Sequence, residues 1–274
     1  MASANHGFRV DVKAASGLMT KPLFPLTWAS NPVPSHAHLR LKLSNHPSNL
    51  GRFGMALCAN PLVSGPLQRI IHVLCEVALY CETSQFNAAA LLPEDHTFFR
   101  LLSCEAEHQL LSYKYVQFER ARLLHPGITF ELNPIEALVR TATIALINDL
   151  LIISPPSSGL GRALTRHMKK SVDVCFDLLP HFPEENVTLV IWALFVGAHG
   201  SLGRAEHPWF IERLVILVTF CGWDDWDEVV DYLSGYVFVH HVQGHAWRIV
   251  WNEVSKRLPS KKGKVDVDES PVFS

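Results

Sequence analysis

The 274-residue chain has few charged side chains and no excess of either sign. Charged residues make up 18% of it, below the roughly 25% usual for soluble domains. Because 24 Lys and Arg face 26 Asp and Glu, the protein has no overall attraction for phosphate backbones. This balance argues against a basic nucleic-acid-binding domain of the usual kind. The 48% of hydrophobic residues argues against a mainly disordered chain.

The sequence also lacks an apolar run long enough for a membrane span. Its longest, residues 187–198, is well short of the roughly 20 residues that a spanning helix needs. This run therefore predicts a buried helix in a large core and no membrane anchor. The first 30 residues contain no apolar segment after a basic start, so a secretion signal is not expected.

Closely spaced cysteine pairs are absent as well, although the chain has six cysteines. Structural zinc sites usually take two thiolates from one short turn, and no Cys-x-x-Cys sequence occurs. We therefore expect reduced thiols, mostly in the core, with no bound metal and no cofactor. The six are Cys58, Cys75, Cys81, Cys104, Cys175 and Cys221.

Apolar residues recur at helical spacing between residues 58 and 257. The pattern predicts an all-α fold of about eight helices, packed as one irregular helical domain. The prolines and polar residues of 1–57 indicate an irregular arm, and 258–274 is typical of a disordered charged tail. The arm's basic bias would suit an organellar transit peptide, but no amphipathic Arg-rich helix opens it. The predicted helices are 66–82, 97–125, 134–153, 160–179, 184–198, 206–221, 224–232 and 240–257.

The second helix carries an apolar pattern that runs on through Tyr115 and Phe118. Before the third, Asn133 and Pro134 form a favourable start, with an amide side chain at the N-cap and proline at N1. Gly197 and Ala198 in the fifth would allow a neighbouring backbone to approach closely.

The 15 histidines are the only hint of metal chemistry. His241 and His245 are four residues apart and would share a helix face, as zinc ligands do. No third ligand is nearby in the sequence, so a partly exposed polar turn is the preferred interpretation. His199 and His207 lie at helix ends, where a histidine usually caps or packs.

Two short segments resemble one another, Gly-Leu-Gly-Arg at 159–162 and Ser-Leu-Gly-Arg at 201–204. They are too short to establish a repeat. The first lacks the third glycine of a phosphate-binding loop, and the second lacks the glycine that a nucleophile elbow requires before its serine. No active site is visible in the residues, so we expect no enzyme.

A dense basic segment follows the last predicted helix. Such residues are common in solvated chain ends, and a nuclear localisation signal is the alternative. They are Lys256, Arg257, Lys261, Lys262 and Lys264.

Aromatic residues recur in the second half of the chain in an order that resembles the fungal-specific transcription factor domain. The likeness covers residues 66–257 and is strongest from 184 onward. The residues that carry it, expected in the core, are Trp192, Trp209, Phe210, Trp223, Trp226 and Trp251.

This resemblance implies an all-helical regulatory region that binds protein partners or a small effector in the nucleus, as a homo- or hetero-oligomer. The family's six-cysteine zinc cluster for DNA contact is not present in residues 1–60, where Cys58 is the only cysteine. We therefore expect no direct sequence-specific DNA binding. The alternatives are a small-molecule enzyme with an unrecognised helical active site and a purely structural interaction domain.

Overall fold

The protein is all-helical in a computed structural model that describes residues 2–26, 41, 52–127, 129–150, 158–181 and 183–259. These ranges contain ten α-helices, two short 3₁₀ turns and no strand. The helices are α1 (Ala2–Leu18), α2 (Met55–Ala59), α3 (Gly65–Phe86), α4 (Pro93–Leu124), α5 (Pro134–Leu150), α6 (Gly159–Leu178), α7 (Glu184–Gly200), α8 (His207–Cys221), α9 (Trp226–Leu233) and α10 (His240–Ser255).

The predicted fold class is confirmed, and each of the eight predicted helices has a counterpart in α3–α10. The predicted number of helices was too low, because α1 and the start of α2 lie in the segment that was expected to be irregular. Helix α4 begins at Pro93, four residues before the predicted start. Its first turn is closed by Asp95, whose Oδ2 accepts a hydrogen bond of 2.8 Å from the amide of Leu92.

The prediction of an irregular arm over residues 1–57 is wrong for α1 and for the start of α2. The prolines on which it relied begin at Pro22, after α1 has ended. Val12 is buried in the core, and Lys13 reaches the interior. Tertiary contacts with α4 and α6 therefore stabilise a helix that local patterning does not reveal.

Lys13 belongs to a buried polar network that joins three helices. Its Nζ donates to Oε2 of Glu107 on α4 at 2.5 Å and to Oδ1 of Asn148 on α5 at 2.8 Å. The other carboxylate oxygen of Glu107 accepts from Ser16 Oγ at 2.5 Å and from Asn148 Nδ2 at 3.0 Å. The fully buried carboxylate is thus paired and hydrogen-bonded on both oxygens.

Helix α7 lies at the centre of the domain and contacts α5, α6, α8 and α10. It contains the apolar run 187–198, and its buried residues face neighbours on all sides. Gly197 allows a close approach, as predicted, but its neighbour is the ring of Phe210 on α8, which a Cβ atom would clash with. In the part of the chain that the structure describes, no helix combines the length and apolarity that crossing a bilayer would need.

Helix starts predicted from local sequence vary in accuracy. Before α5, Oδ1 of Asn133 accepts from the amide of Ile135 at 2.9 Å, which is the predicted cap. Helix α9 begins at Trp226 with Asp225, and not Asp224, at its N-cap.

All six cysteines are free thiols, as predicted. Burial raises the pKa of Cys75, Cys81 and Cys175 to about 12, so these thiols stay protonated and unreactive near neutral pH.

Candidate functional site

The aromatic residues that carry the family resemblance form part of the core around α7, with one exception. Trp192 is fully buried, stacks on Tyr236 at a centroid distance of 5.8 Å, and donates from Nε1 to the carbonyl of Val237 at 3.1 Å. Phe195 stacks on Trp247 at 5.5 Å. The other buried members are Phe210, Trp223, Trp226 and Trp251.

Trp209 is the exception, because it is only partly buried. Its ring meets Phe210 edge-on at 4.9 Å, and its outer face carries two cations. Lys169 Nζ lies 5.1 Å from the ring centroid and the Arg213 guanidinium 4.9 Å from it. Trp209 therefore packs against the core, but as a half-buried ring with two cations near it.

The two histidines interpreted as a partly exposed polar turn lie in the first turns of α10, where both are exposed but make different contacts. The amide of His241 donates to Oε2 of Glu82 at 3.0 Å, and its Nδ1 is hydrogen-bonded to the other oxygen of that carboxylate. Glu82 belongs to α3, and its side chain is fully buried. This carboxylate therefore holds the start of α10 against α3. His245 is exposed.

We expect His241→Ala to destabilise the protein by about 1–3 kcal/mol, because the buried Glu82 carboxylate would lose one of its hydrogen bonds. Urea unfolding followed by circular dichroism measures this change. His245→Ala, the matched control on the same helix, should change stability by less than about 0.5 kcal/mol. Equal effects of the two substitutions would contradict this role of Glu82.

His199 and His207 also make structural contacts. Nδ1 of His199 lies 3.0 Å from Oδ2 of Asp149, which also accepts from Gln243 Nε2 at 3.1 Å. His207 Nδ1 lies 3.0 Å from the carbonyl of Ala198, and its Nε2 faces Glu253. The second histidine thus links the end of α7, the start of α8 and α10. Within the described ranges, no group of three His, Cys, Asp or Glu side chains is arranged to hold a metal ion.

A small, mainly apolar cleft opens between α5, α6 and α7. It encloses about 40 Å³, which is room for about three water molecules. Its lining includes Asn148, Asp149, Thr165 and Gly200. Pockets for small organic ligands usually measure several hundred Å³. The volume of this cleft therefore favours water over an effector.

The basic segment that suits a nuclear localisation signal lies only partly in the described structure. Lys256 and Arg257 are exposed and directly follow α10. Lys261, Lys262 and Lys264 lie outside the described residues, as does most of the predicted tail 258–274. The nuclear localisation signal stays a prediction.

Several exposed apolar side chains lie on the C-terminal end of α4, residues 114–124, which we call the α4 end. Val116 is 56% exposed and Leu123 is 79% exposed. They lie seven residues, two turns, apart and share one helix face. Tyr115, Phe118 and Leu124 are also exposed.

The body of the domain holds α4 firmly just before this end begins. Tyr113 is buried and donates from its hydroxyl to Oε1 of Glu136 at 2.5 Å, and that hydroxyl also meets Ser64 Oγ at 2.5 Å. Burial and the bond to Glu136 raise the pKa of Tyr113, so its hydroxyl remains a donor at every physiological pH. One turn earlier, Arg140 Nε donates to the carbonyl of Leu110 at 2.7 Å.

Charges on the α4 end are predominantly positive. The segment contains three basic residues and one acidic residue, Glu119, which gives a net charge of +2. The basic residues are Lys114, Arg120 and Arg122. Arg122 and Glu119 form an exposed ion pair at 2.8 Å. Arg120 flanks the face that carries Val116 and Leu123. The surface therefore combines exposed apolar side chains with cations.

Sequence analysis did not predict this surface, because the apolar spacing of α4 continues through Tyr115 and Phe118 and indicated one continuous buried face. One signal was available in the sequence. Charged residues become frequent after Tyr113, and charged side chains are rarely buried unless they are paired, so this frequency indicates a helix end in solvent.

Comparisons with family models, curated proteins and solved structures found no match to the chain.

Proposed function

We propose that the protein is a helical regulatory module of transcription that acts by binding a protein partner through the α4 end. The observation that carries the proposal is the rigidly held helix end with its exposed Val116 and Leu123. The proposed partner is an acidic amphipathic helix, because its carboxylates would complement the +2 charge around those two side chains.

Energetic considerations support this choice of surface. Complete burial of a fully exposed Leu or Val side chain contributes about 1.5–3 kcal/mol, and Val116 and Leu123, which are already partly covered, would contribute less. The surface is already ordered, because Tyr113 and Leu110 fix α4 to α5 just before the exposed segment begins. Binding would therefore cost little further ordering of this side of the interface. A second copy of the chain is a poorer occupant, since two +2 surfaces would repel each other.

A protein partner is better supported than a small effector or an enzyme substrate. The cleft between α5, α6 and α7 has room only for water, and His199 is already bonded to Asp149 beside it. The fungal transcription factor resemblance supplies the transcriptional context and the nucleus. We retain from it the expectation that the chain does not read DNA by itself.

The test is a tethering assay with the full chain fused to a heterologous DNA-binding module. We expect the wild-type fusion to change expression of a reporter gene downstream of the cognate site. Val116→Asp combined with Leu123→Asp should abolish that change, because the introduced carboxylates repel an acidic partner. Both positions are exposed, so the melting temperature of the purified variant should stay within about 2 °C of wild type.

The matched control is Ile216→Asp combined with Phe220→Asp on α8, two exposed apolar residues elsewhere on the surface. This variant should keep the full reporter response. A wild-type fusion without any effect on the reporter would contradict the regulatory function. Equal losses in the two double variants would contradict the role of the α4 end.

A further inference from the structure

Helix α10 carries two exposed imidazoles one turn apart, those of His241 and His245. Residues four positions apart on a helix have Cβ atoms about 5–6 Å apart, so both rings can reach one point above the helix face. Two histidines at this spacing supply two of the zinc ligands in helical metal-binding motifs. Because His245 is exposed, its side chain can turn towards His241 without disturbing the core.

The structure gives the first of these rings a partner that the sequence does not reveal. Nδ1 of His241 is hydrogen-bonded to Oε1 of Glu82, and the amide of His241 donates to Oε2 at 3.0 Å. The side chain of Glu82 is fully buried. An ionised carboxylate only accepts hydrogen bonds, so Nδ1 carries the proton. Nε2 is therefore the nitrogen with which the neutral ring would bind a metal ion.

Neighbouring rings hold His241 in this orientation. The ring of Phe86, at the end of α3, lies 5.2 Å from it between centroids, and the ring of His240 lies 5.5 Å from it. His240 in turn packs beside Gly244 and meets the ring of Phe238 edge-on at 6.0 Å. A side chain that is already held in place loses little freedom when it binds a ligand.

We infer that His241 and His245 chelate a divalent transition-metal ion, and that Glu82 is the positioning residue of His241. A carboxylate bonded to the second nitrogen of a metal-binding histidine fixes its tautomer and orientation. Imidazole suits Zn²⁺, Cu²⁺ and Ni²⁺, whereas Mg²⁺ and Ca²⁺ prefer oxygen ligands. Within the described ranges no third ligand of this kind completes the site, so water would fill the remaining positions on the ion.

The expectation of no bound metal came from the dispersed cysteines and the missing third ligand, and a chelate of two histidines needs neither. The charge of Glu82 also favours a cation at this place. Among the described residues, no lysine or arginine forms an ion pair with this buried carboxylate, and His241 faces it. A positive ion on the bonded imidazole would offset the cost of burying the charge. The site is independent of the α4 end and of the transcriptional proposal.

Isothermal titration of the full chain with Ni²⁺ tests the site. We expect about one Ni²⁺ per chain in the tightest site, and His245→Ala should weaken its binding at least tenfold, because a single imidazole replaces a chelate. His245 is exposed, so this variant keeps its fold. Cu²⁺ should bind more tightly than Ni²⁺, and Mg²⁺ should not bind there.

Glu82→Gln should weaken Ni²⁺ binding about tenfold to a hundredfold, because the tautomer and orientation of His241 are no longer fixed. Nitrogen NMR of the imidazoles in the unaltered protein provides the second measurement, which stays valid if this variant does not fold. With neutral rings and no metal, His241 should carry its proton on Nδ1. Zn²⁺, which is diamagnetic, should shift the signals of both His241 and His245 and leave that proton in place.

His125→Ala is the matched control, because His125 is exposed at the end of α4 and has no histidine within four residues. It should leave Ni²⁺ binding unchanged. Equal binding of Ni²⁺ by His245→Ala and the unaltered protein, or equal losses in His245→Ala and His125→Ala, would refute the chelate. A proton on Nε2 of the neutral His241 ring, or undiminished binding in a folded Glu82→Gln variant, would refute the role of Glu82.

Discussion

Trp192→Ala should strongly destabilise the protein. The indole is fully buried at the centre of α7, and its truncation removes the contact with Tyr236 and the hydrogen bond to Val237. Such truncations cost about 3–5 kcal/mol, a large part of the roughly 5–15 kcal/mol that stabilises a domain. For a chain of this size, the loss corresponds to a melting temperature lower by about 10 °C. Thermal unfolding followed by circular dichroism measures it.

Trp209→Ala provides the comparison, since it is the same truncation on a half-exposed ring. The cations over that ring, Lys169 and Arg213, contribute about 0.5–1 kcal/mol each at exposed sites. We expect a cost below about 2 kcal/mol, because less apolar area is lost from the core. A larger loss of stability in Trp209→Ala than in Trp192→Ala would contradict the central position of Trp192 and α7 in the core.

Lys13→Met should destabilise the protein by about 3–5 kcal/mol. The substitution keeps the apolar stem and removes the ammonium, so the fully buried carboxylate of Glu107 loses its charge partner. Ser16 and Asn148 would still donate to Oε1, but no cation would remain in the network that the structure shows. Urea unfolding gives the change in free energy, and early proteolysis within α1 would report its release.

Two further variants separate charge from packing. Lys21→Met replaces an exposed lysine just after α1 and should cost less than about 0.5 kcal/mol. Adding Glu107→Gln to Lys13→Met removes the unpaired charge while leaving an acceptor for Ser16 and Asn148, so most of the stability should return. A single variant Lys13→Met as stable as Lys21→Met would show that α1 is not held by this pair.

Helices α3 to α10 were predictable because each is specified by residues close together in the chain. Apolar side chains spaced three or four residues apart share one helix face, which predicts the buried face. Asn133 and Pro134 likewise indicate the start of α5 from local sequence alone. The buried state of Trp192 followed in the same way, since α7 is apolar around its whole circumference and has no face for water. Local rules also predicted free thiols, because the cysteines are dispersed along the chain and lie in apolar patterns typical of a core.

Contacts between distant segments decided the rest. Helix α1 packs against α4 and α6, and its Lys13 pairs with Glu107, 94 positions away, a bond that no local pattern reports. Glu82 and His241 are likewise 159 positions apart, so a sequence shows two polar residues where the structure shows a hydrogen-bonded pair with a buried carboxylate. Tyr115 and Phe118 continue the apolar spacing of α4, yet the body of the domain ends at Tyr113 and leaves them in solvent. Spacing determines which residues share a helix face; the packing of other helices alone determines whether that face is covered.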